Sequence, residues 1–179
     1  MTLHGFTAMT ALAGLLIGSP GAHATPSCDN GSLQGTYAFK AQGEVLGTLD
    51  AAGLHPFAAP QPINSVAQMT FFGNGTLTRE DFTVANGAPQ VAQPPNNGPD
   101  GFRINQTGTY SINDDCTGTM QVVIPGASAN ANTTLNFALV LVDFGQRAFA
   151  VISSETVPVA GAVAVNVSAE MTRDTMPRR

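Results

Sequence analysis

The chain has 179 residues, a formal net charge of −5, 11% charged residues, 19 glycines and 12 prolines. Its only cations are six arginines and one lysine, Lys40. They cannot form the basic patch that phosphate neutralisation needs, so no nucleic-acid partner is expected. Scarce charge with abundant Gly and Pro points to a turn-rich β protein rather than a helical one.

Residues 1–24 read as a signal peptide. The apolar run 11–18, ALAGLLIG, is too short to cross a bilayer and is followed by Ser19-Pro20-Gly21. Ala22-His23-Ala24 is the small-x-small pattern of a signal-peptidase site, so cleavage is expected after Ala24. The n-region carries His4 and no Lys or Arg. The alternative reading is a buried apolar N-terminal helix. Residues 25–179 then form a single domain with enough chain for one core. The expected location is secreted or periplasmic, with no membrane span in the mature chain.

Helical periodicity is almost absent after residue 25, and strand signals recur. The first strand is predicted over 35–41, with Tyr37 and Phe39 on one face. A second, 65–72, ends in Gly73-Asn74-Gly75, residues that tolerate the positive φ of a hairpin turn. The return strand is 75–85. Residues 102–112 alternate, placing Ile104, Tyr110 and Ile112 with Gln106 and Gly108 on one face. Arg103, Asn105, Thr107, Thr109 and Ser111 fall on the other, wet face. A polar turn at 113–118 carries Cys116, and a strand over 119–124 stops at Pro125-Gly126. Residues 133–143 are apolar at Leu135, Phe137, Leu139 and Leu141, and also at Ala138, Val140 and Val142. That pattern predicts burial on both faces. Strands over 147–155 and 162–173 complete the set.

Eight sequential antiparallel strands with no helices predict an all-β domain, a single up-and-down β-barrel. A two-sheet β-sandwich is the alternative. A closed barrel removes both exposed edges. The segments 43–64 and 86–101 are rich in Pro, Ala and Gly and are predicted as loops. Strand parity puts them at the same rim.

Both cysteines, Cys28 and Cys116, lie in the mature part, and two cysteines in an exported chain most simply form one disulfide. A pair of free buried thiols is the alternative. Each cysteine stands near a Gly-Thr-Tyr strand signal, at 35–37 and 108–110. The bridge would tie a loose N-terminal arm to the turn at 113–118 and help to close the sheet.

Three stretches carry a resemblance: CDNGSLQGTYAF at 28–39, MTFFGNGTLT at 69–78 and TGTYSINDDCTGTM at 107–120. They resemble the landmarks of a family of small exported bacterial proteins of unknown function. That family has a Cys…Leu-x-Gly-x-Tyr start, a Phe-x-Gly-x-Gly hairpin and a Thr-Gly-Thr-Tyr turn ending in Cys-Thr-Gly-Thr. The resemblance implies an exported β-barrel-like domain and a Cys28–Cys116 pair, and no activity.

Candidate chemistry is sparse. His55 is the one histidine after residue 24, in Gly-Leu-His-Pro-Phe, and reads as a rim residue rather than part of a Ser-His-Asp triad. One histidine and two bridged cysteines cannot supply a zinc or iron site, so neither metal nor cofactor is expected. Glu80 and Asp81 are strand neighbours and point to opposite faces, so only one of them can face a barrel interior. Asp114 and Asp115 suit bonds to the backbone of their own turn better than catalysis or calcium binding. An outer-membrane barrel would want aromatic girdles, and this chain has two tyrosines and no tryptophan. No catalytic residue is assigned, and the ligand-binding residues stay open.

Three function classes follow. The first is a non-catalytic module that takes a small apolar ligand at the barrel mouth. The second is a structural or cell-surface interaction protein with a filled core. An enzyme comes last. It would act by cavity shape and one carboxylate such as Glu80 or Asp81, and a buried carboxyl of raised pKa inside a cavity would favour it.

Overall fold

The structure is a computed structural model and describes residues 27–92 and 94–175. The expected signal peptide, residues 1–24, lies outside the described residues. The chain forms one antiparallel sheet of nine strands: β1 (Gln34–Asp50), β2 (Gly53–Phe72), β3 (Thr76–Ala85), β4 (Ala88–Pro89), β5 (Arg103–Ile112), β6 (Thr117–Ile124), β7 (Thr133–Val142), β8 (Arg147–Val157) and β9 (Gly161–Arg173). The order is β2-β1-β9-β8-β7-β6-β5-β3-β4, and a further pairing of β2 with β3 closes eight of the strands into a ring. β4 is a two-residue fold-back on β3. The up-and-down barrel expected from strand count is therefore the architecture. Among the described residues no helix is long and apolar enough to cross a membrane.

The wall is uneven. β1 and β2 run 17 and 20 residues, whereas β6 has eight. The segment 43–64, expected as a loop, is instead the upper half of a long hairpin, paired from Gly43↔Ile63 up to Asp50↔Gly53. The reason is positional. β3 joins β2 only from Ile63↔Ala85 downward, so above that point β2 is an edge strand. An edge strand leaves one row of N–H groups unused, and Pro56, Pro60 and Pro62 are tolerated there. At its tip Asp50 Oδ1 accepts the Ala52 N–H at 2.8 Å, an Asx turn. That tip and the connection between β4 and β5 stand at the same end of the barrel, as strand parity requires.

The lower end is closed by the N-terminal arm. A single 3-10 turn (Asn30–Ser32) is capped by Asp29, whose Oδ1 accepts the Ser32 N–H at 3.0 Å. Leu33 follows it into the barrel and is fully buried. Tyr110 Oη lies 2.9 Å from the Leu33 carbonyl and donates to it, and Tyr37 Oη donates to the Gly145 carbonyl at 2.5 Å. Between the two tyrosines stands Phe71, edge-on to both, with ring centroids 5.3 and 5.1 Å apart. Each such pair adds about 0.5–1.5 kcal/mol beyond area burial. The two Gly-Thr-Tyr segments thus supply the two flanks of one aromatic stack, from β1 and β5. Gly145 makes the close approach possible: a Cβ there would stand 2.1 Å from the Ser32 carbonyl oxygen. Cys28 and Cys116 form a disulfide across an 88-residue separation and pin the arm to the β5–β6 turn. Cys28 N–H also donates to Asp114 O at 3.2 Å.

The lower core is apolar, built from Tyr37, Met69, Phe71, Met120, Val122, Phe137 and Met171 among others. β7 corrects one expectation. Its inward face is buried, but Ala138 and Val140 on its outer face are exposed. No second layer covers a barrel from outside, so a doubly apolar strand here leaves apolar side chains in water.

Candidate functional site

Halfway up the barrel the interior turns polar. β3 carries Leu77, Arg79, Asp81 and Thr83 inward, all buried, while Glu80 is exposed on the outer face. The Glu80–Asp81 pair is thus split as strand geometry demands, and Asp81 is the inward member. Facing it are Ser65 from β2 and Gln106 from β5, both buried.

Arg103 joins them through a bulge. Arg79 pairs with Gln106 and Asp81 with Arg103, so two steps on β3 oppose three on β5. The extra residue sits beside Asn105, whose φ of 62° lies in the left-handed region that Asn tolerates. Strict alternation would send Arg103 to the wet face and Ile104 inward. The bulge reverses this, turning Arg103 into the barrel and leaving Ile104 half-buried.

Asp81, 0% exposed, is the hub. Arg103 grips it with Nε on Oδ1 at 2.9 Å and Nη2 on Oδ2 at 2.5 Å. Gln106 Nε2 donates to Oδ1, Thr83 Oγ1 donates to Oδ2 at 2.6 Å, and Arg79 Nη2 reaches Oδ2 at 3.2 Å. Burial by itself would raise the Asp81 pKa. The Arg79 charge, the Arg103 hydrogen bonds and charge, and the Thr83 hydroxyl outweigh it and hold the carboxyl at about 2. Arg79 Nη1 also donates to Gln106 Oε1, and its guanidinium lies 5.2 Å from the centroid of the Phe39 ring.

The cluster itself has two guanidiniums to one carboxylate, and the next carboxyl, Glu155, stands in the cavity wall above it. Arg79 Nε is buried and has no hydrogen-bond partner among the described residues. Arg103 uses Nε and Nη2 on Asp81 and Thr83, and Nη1 makes no hydrogen bond among the described residues.

Above the cluster lies an interior cavity of about 310 Å³. Its walls are mainly apolar, from Phe39, Ile63, Leu135, Phe137, Ile152 and Val163 among others, and its polar groups include Arg79, Arg103, Thr83, Gln61 and Glu155. The volume is at the lower end for small-molecule sites. Glu155, from the top of β8, is pushed up in pKa by burial, and Arg103 acts against that shift. A larger concavity, about 1100 Å³, is an open groove around the outer waist. Its two charged groups, Lys40 and Glu170, pair with each other at 3.6 Å.

The other residues considered from sequence lie elsewhere. His55 is on the hairpin, its Nε2 2.9 Å from Asp50 Oδ2, and both side chains are exposed. Asp115 accepts the Thr117 N–H at 2.9 Å and its hydroxyl at 2.6 Å, the turn-bonding role expected of it. The disulfide is remote from the cavity, in the lower plug. Among the described residues no three His, Cys, Asp or Glu side chains gather as metal ligands would. Arg79, Arg103, Gln106 and Glu155 were not picked out by sequence reasoning. One signal did exist for part of the cluster: Arg79, Asp81 and Thr83 share the parity of Leu77.

Buried Asp81 and half-buried Glu155 respond to pH with opposite sign. The Asp81 folded value lies below the ordinary carboxylate value of about 3.9. Its contribution to stability is therefore present above that value and lost as the pH falls toward about 2. Glu155 has a raised folded value, so its contribution is present below the ordinary glutamate range and lost as the pH rises through the folded value. Glu155→Gln is therefore expected to raise the urea midpoint relative to wild type at pH 8, with the gap closing by pH 4. A gap that does not change with pH would show that folding does not shift the Glu155 carboxyl.

A scan against protein-family models and searches of curated proteins and of solved structures find no match to this chain.

Proposed function

We propose that the protein is an exported, non-catalytic barrel that binds a small apolar or amphipathic molecule in the cavity above the Asp81 cluster. The observation that carries this reading is the contrast between the two halves of the barrel. The lower half is plugged by its own side chains, whereas the upper half keeps about 310 Å³ open beside a few convergent polar groups. The outward positions of β5 and β6 support a barrel surrounded by water. Thr107, Thr109, Ser111, Thr119 and Gln121 are exposed there. A lipid-facing barrel has the reverse pattern, apolar outside and polar within. The disulfide fits a secreted or periplasmic location. The resemblance of the three landmarks around Cys28, Phe71 and Cys116 to those of small exported proteins supports the same location.

Glu155 favours a second reading, an enzyme that uses it as an acid, since it is a half-buried carboxyl of raised pKa in the wall of a cavity. Asp81 does not serve it, because its oxygens are already taken by protein donors.

Native and denaturing mass spectrometry on one detergent-free sample, expressed in an oxidising compartment, tests the proposal. The expected result is extra mass in the native spectrum that disappears on denaturation and gives the size of the ligand. A bare native mass, together with no binding of any small apolar probe, would leave the filled, surface-acting protein as the better reading. Turnover of the released molecule would favour the enzyme.

A further inference from the structure

We infer that the cavity selects an anionic amphiphile, a molecule with a carboxylate head and an apolar body, and seats the head against Arg103 and Arg79. This rests on the proposal that the cavity is a ligand site, and adds the charge and orientation of the ligand.

The argument starts from charge. Desolvating a guanidinium is unfavourable unless an anion compensates it. Here two guanidiniums share one fully buried carboxylate. Asp81 is saturated with donors and cannot answer both charges further. The leftover hydrogen-bonding capacity is on the cationic side: Arg79 Nε is buried without a partner, and Arg103 Nη1 is uncommitted. Both arginines line the cavity. An incoming carboxylate would supply the missing negative charge and accept charge-assisted hydrogen bonds. Phe39, Leu135, Phe137 and Ile152 supply an apolar stretch of wall for the body of the ligand.

Glu155 is the one acidic group in the wall other than Asp81's cluster, and it defines the opposing possibility. As a carboxylate it would repel an anionic ligand and attract a cationic one. Its oxygens form no ion pair within 4.0 Å of Arg103 or Arg79 among the described residues. Burial acts against its charged form. Arg79 and Asp81 from β3 and Arg103 from β5 are the charged groups that share the cavity region with it. The Arg103 charge acts in the opposite sense, and Glu155→Gln settles the matter by taking the carboxyl's charge away.

The test uses three probes of one chain length, decanoate, decan-1-ol and decylamine, titrated calorimetrically into the full chain with its disulfide formed. Decanoate is expected to bind about tenfold or more tighter than decanol, the gain of a charge-assisted contact. Decylamine should bind weakest. In Arg103→Gln the preference for decanoate over decanol should vanish while decanol binding persists, and in Glu155→Gln decanoate should bind at least as tightly as to wild type. The wild-type series decides the matter even if Arg103→Gln does not fold. Equal binding of decanol and decanoate overturns the anionic selection and leaves the ligand-binding proposal standing. Preference for decylamine, abolished in Glu155→Gln, overturns it in favour of a cationic ligand. Failure of all three probes to bind overturns both.

Discussion

Asp81→Asn is expected to lower the thermal midpoint by about 6–20 °C, the equivalent of about 3–5 kcal/mol for breaking a buried ion pair from one side. The substitution keeps the shape of the side chain and removes the charge. What remains is Arg79, 5% exposed, and Arg103, both inside the barrel and both still cationic. Thr83 and Gln106, which donate to the carboxylate, meet an amide that accepts more weakly and also presents donors of its own. Circular dichroism melts of the two proteins measure the effect, and a shift of under 2 °C would mean that the cluster is effectively solvated. A triple variant, Arg79→Met with Asp81→Leu and Arg103→Met, sharpens the meaning. Replacing a whole buried ionic network by apolar side chains is often neutral or stabilising. The triple variant is therefore expected to recover most of the lost midpoint and to lose the preference for decanoate. A network that can be removed as a unit without loss of stability, but not without loss of selectivity, is there for the ligand.

The cluster was only partly visible in the sequence, and the reasons are local. Strand existence was legible over much of the chain, because Tyr37 and Phe39, Leu135 to Leu141, and Val163 to Met171 alternate at the period of a pleated strand. The inward direction of Asp81 was within reach through Leu77, whose parity it shares. The signal was masked because Arg79-Glu80-Asp81 puts charge on both faces, and alternation cannot then choose a side. Arg103 was beyond reach. Its direction depends on one extra residue in β5 at Asn105, and a bulge leaves no mark in a hydrophobic pattern apart from a residue that tolerates positive φ. The hairpin at 43–64 was missed because proline argues against a strand. That rule holds for strands paired on both sides, and the upper part of β2 is paired on one. Burial of Ala138 and Val140 was predicted from apolarity alone, and their exposure reflects the absence of a second layer around a barrel. The shared role of Tyr37 and Tyr110 follows from closure: the two segments lie far apart in sequence and meet only because Phe71 stands between them.

Cys116→Ser is the second substitution with a large expected effect, and it acts at the opposite end of the barrel. The bridge closes an 88-residue loop, for which chain-entropy arithmetic gives about 4–5 kcal/mol. At about 2–4 °C per kcal/mol for a domain of this size, the midpoint should fall by about 8–20 °C. The loss has a structural address. Without the bridge, the arm is held by the Cys28 N–H bond to Asp114, the Asn30 side chain on the Ile112 N–H, and Leu33 beneath Tyr110. None of these bonds draws on a residue of the cavity wall. Limited proteolysis is therefore expected to cut the variant first near residues 27–33, with the remaining barrel resisting longer, and decanoate affinity in the folded variant should stay within about twofold of wild type. Cleavage that begins instead in the connection between β4 and β5 would show that the plug does not depend on the bridge. A collapse of decanoate binding in a variant that remains folded would show that the two ends of the barrel are coupled, and that the plug helps to hold the cavity open.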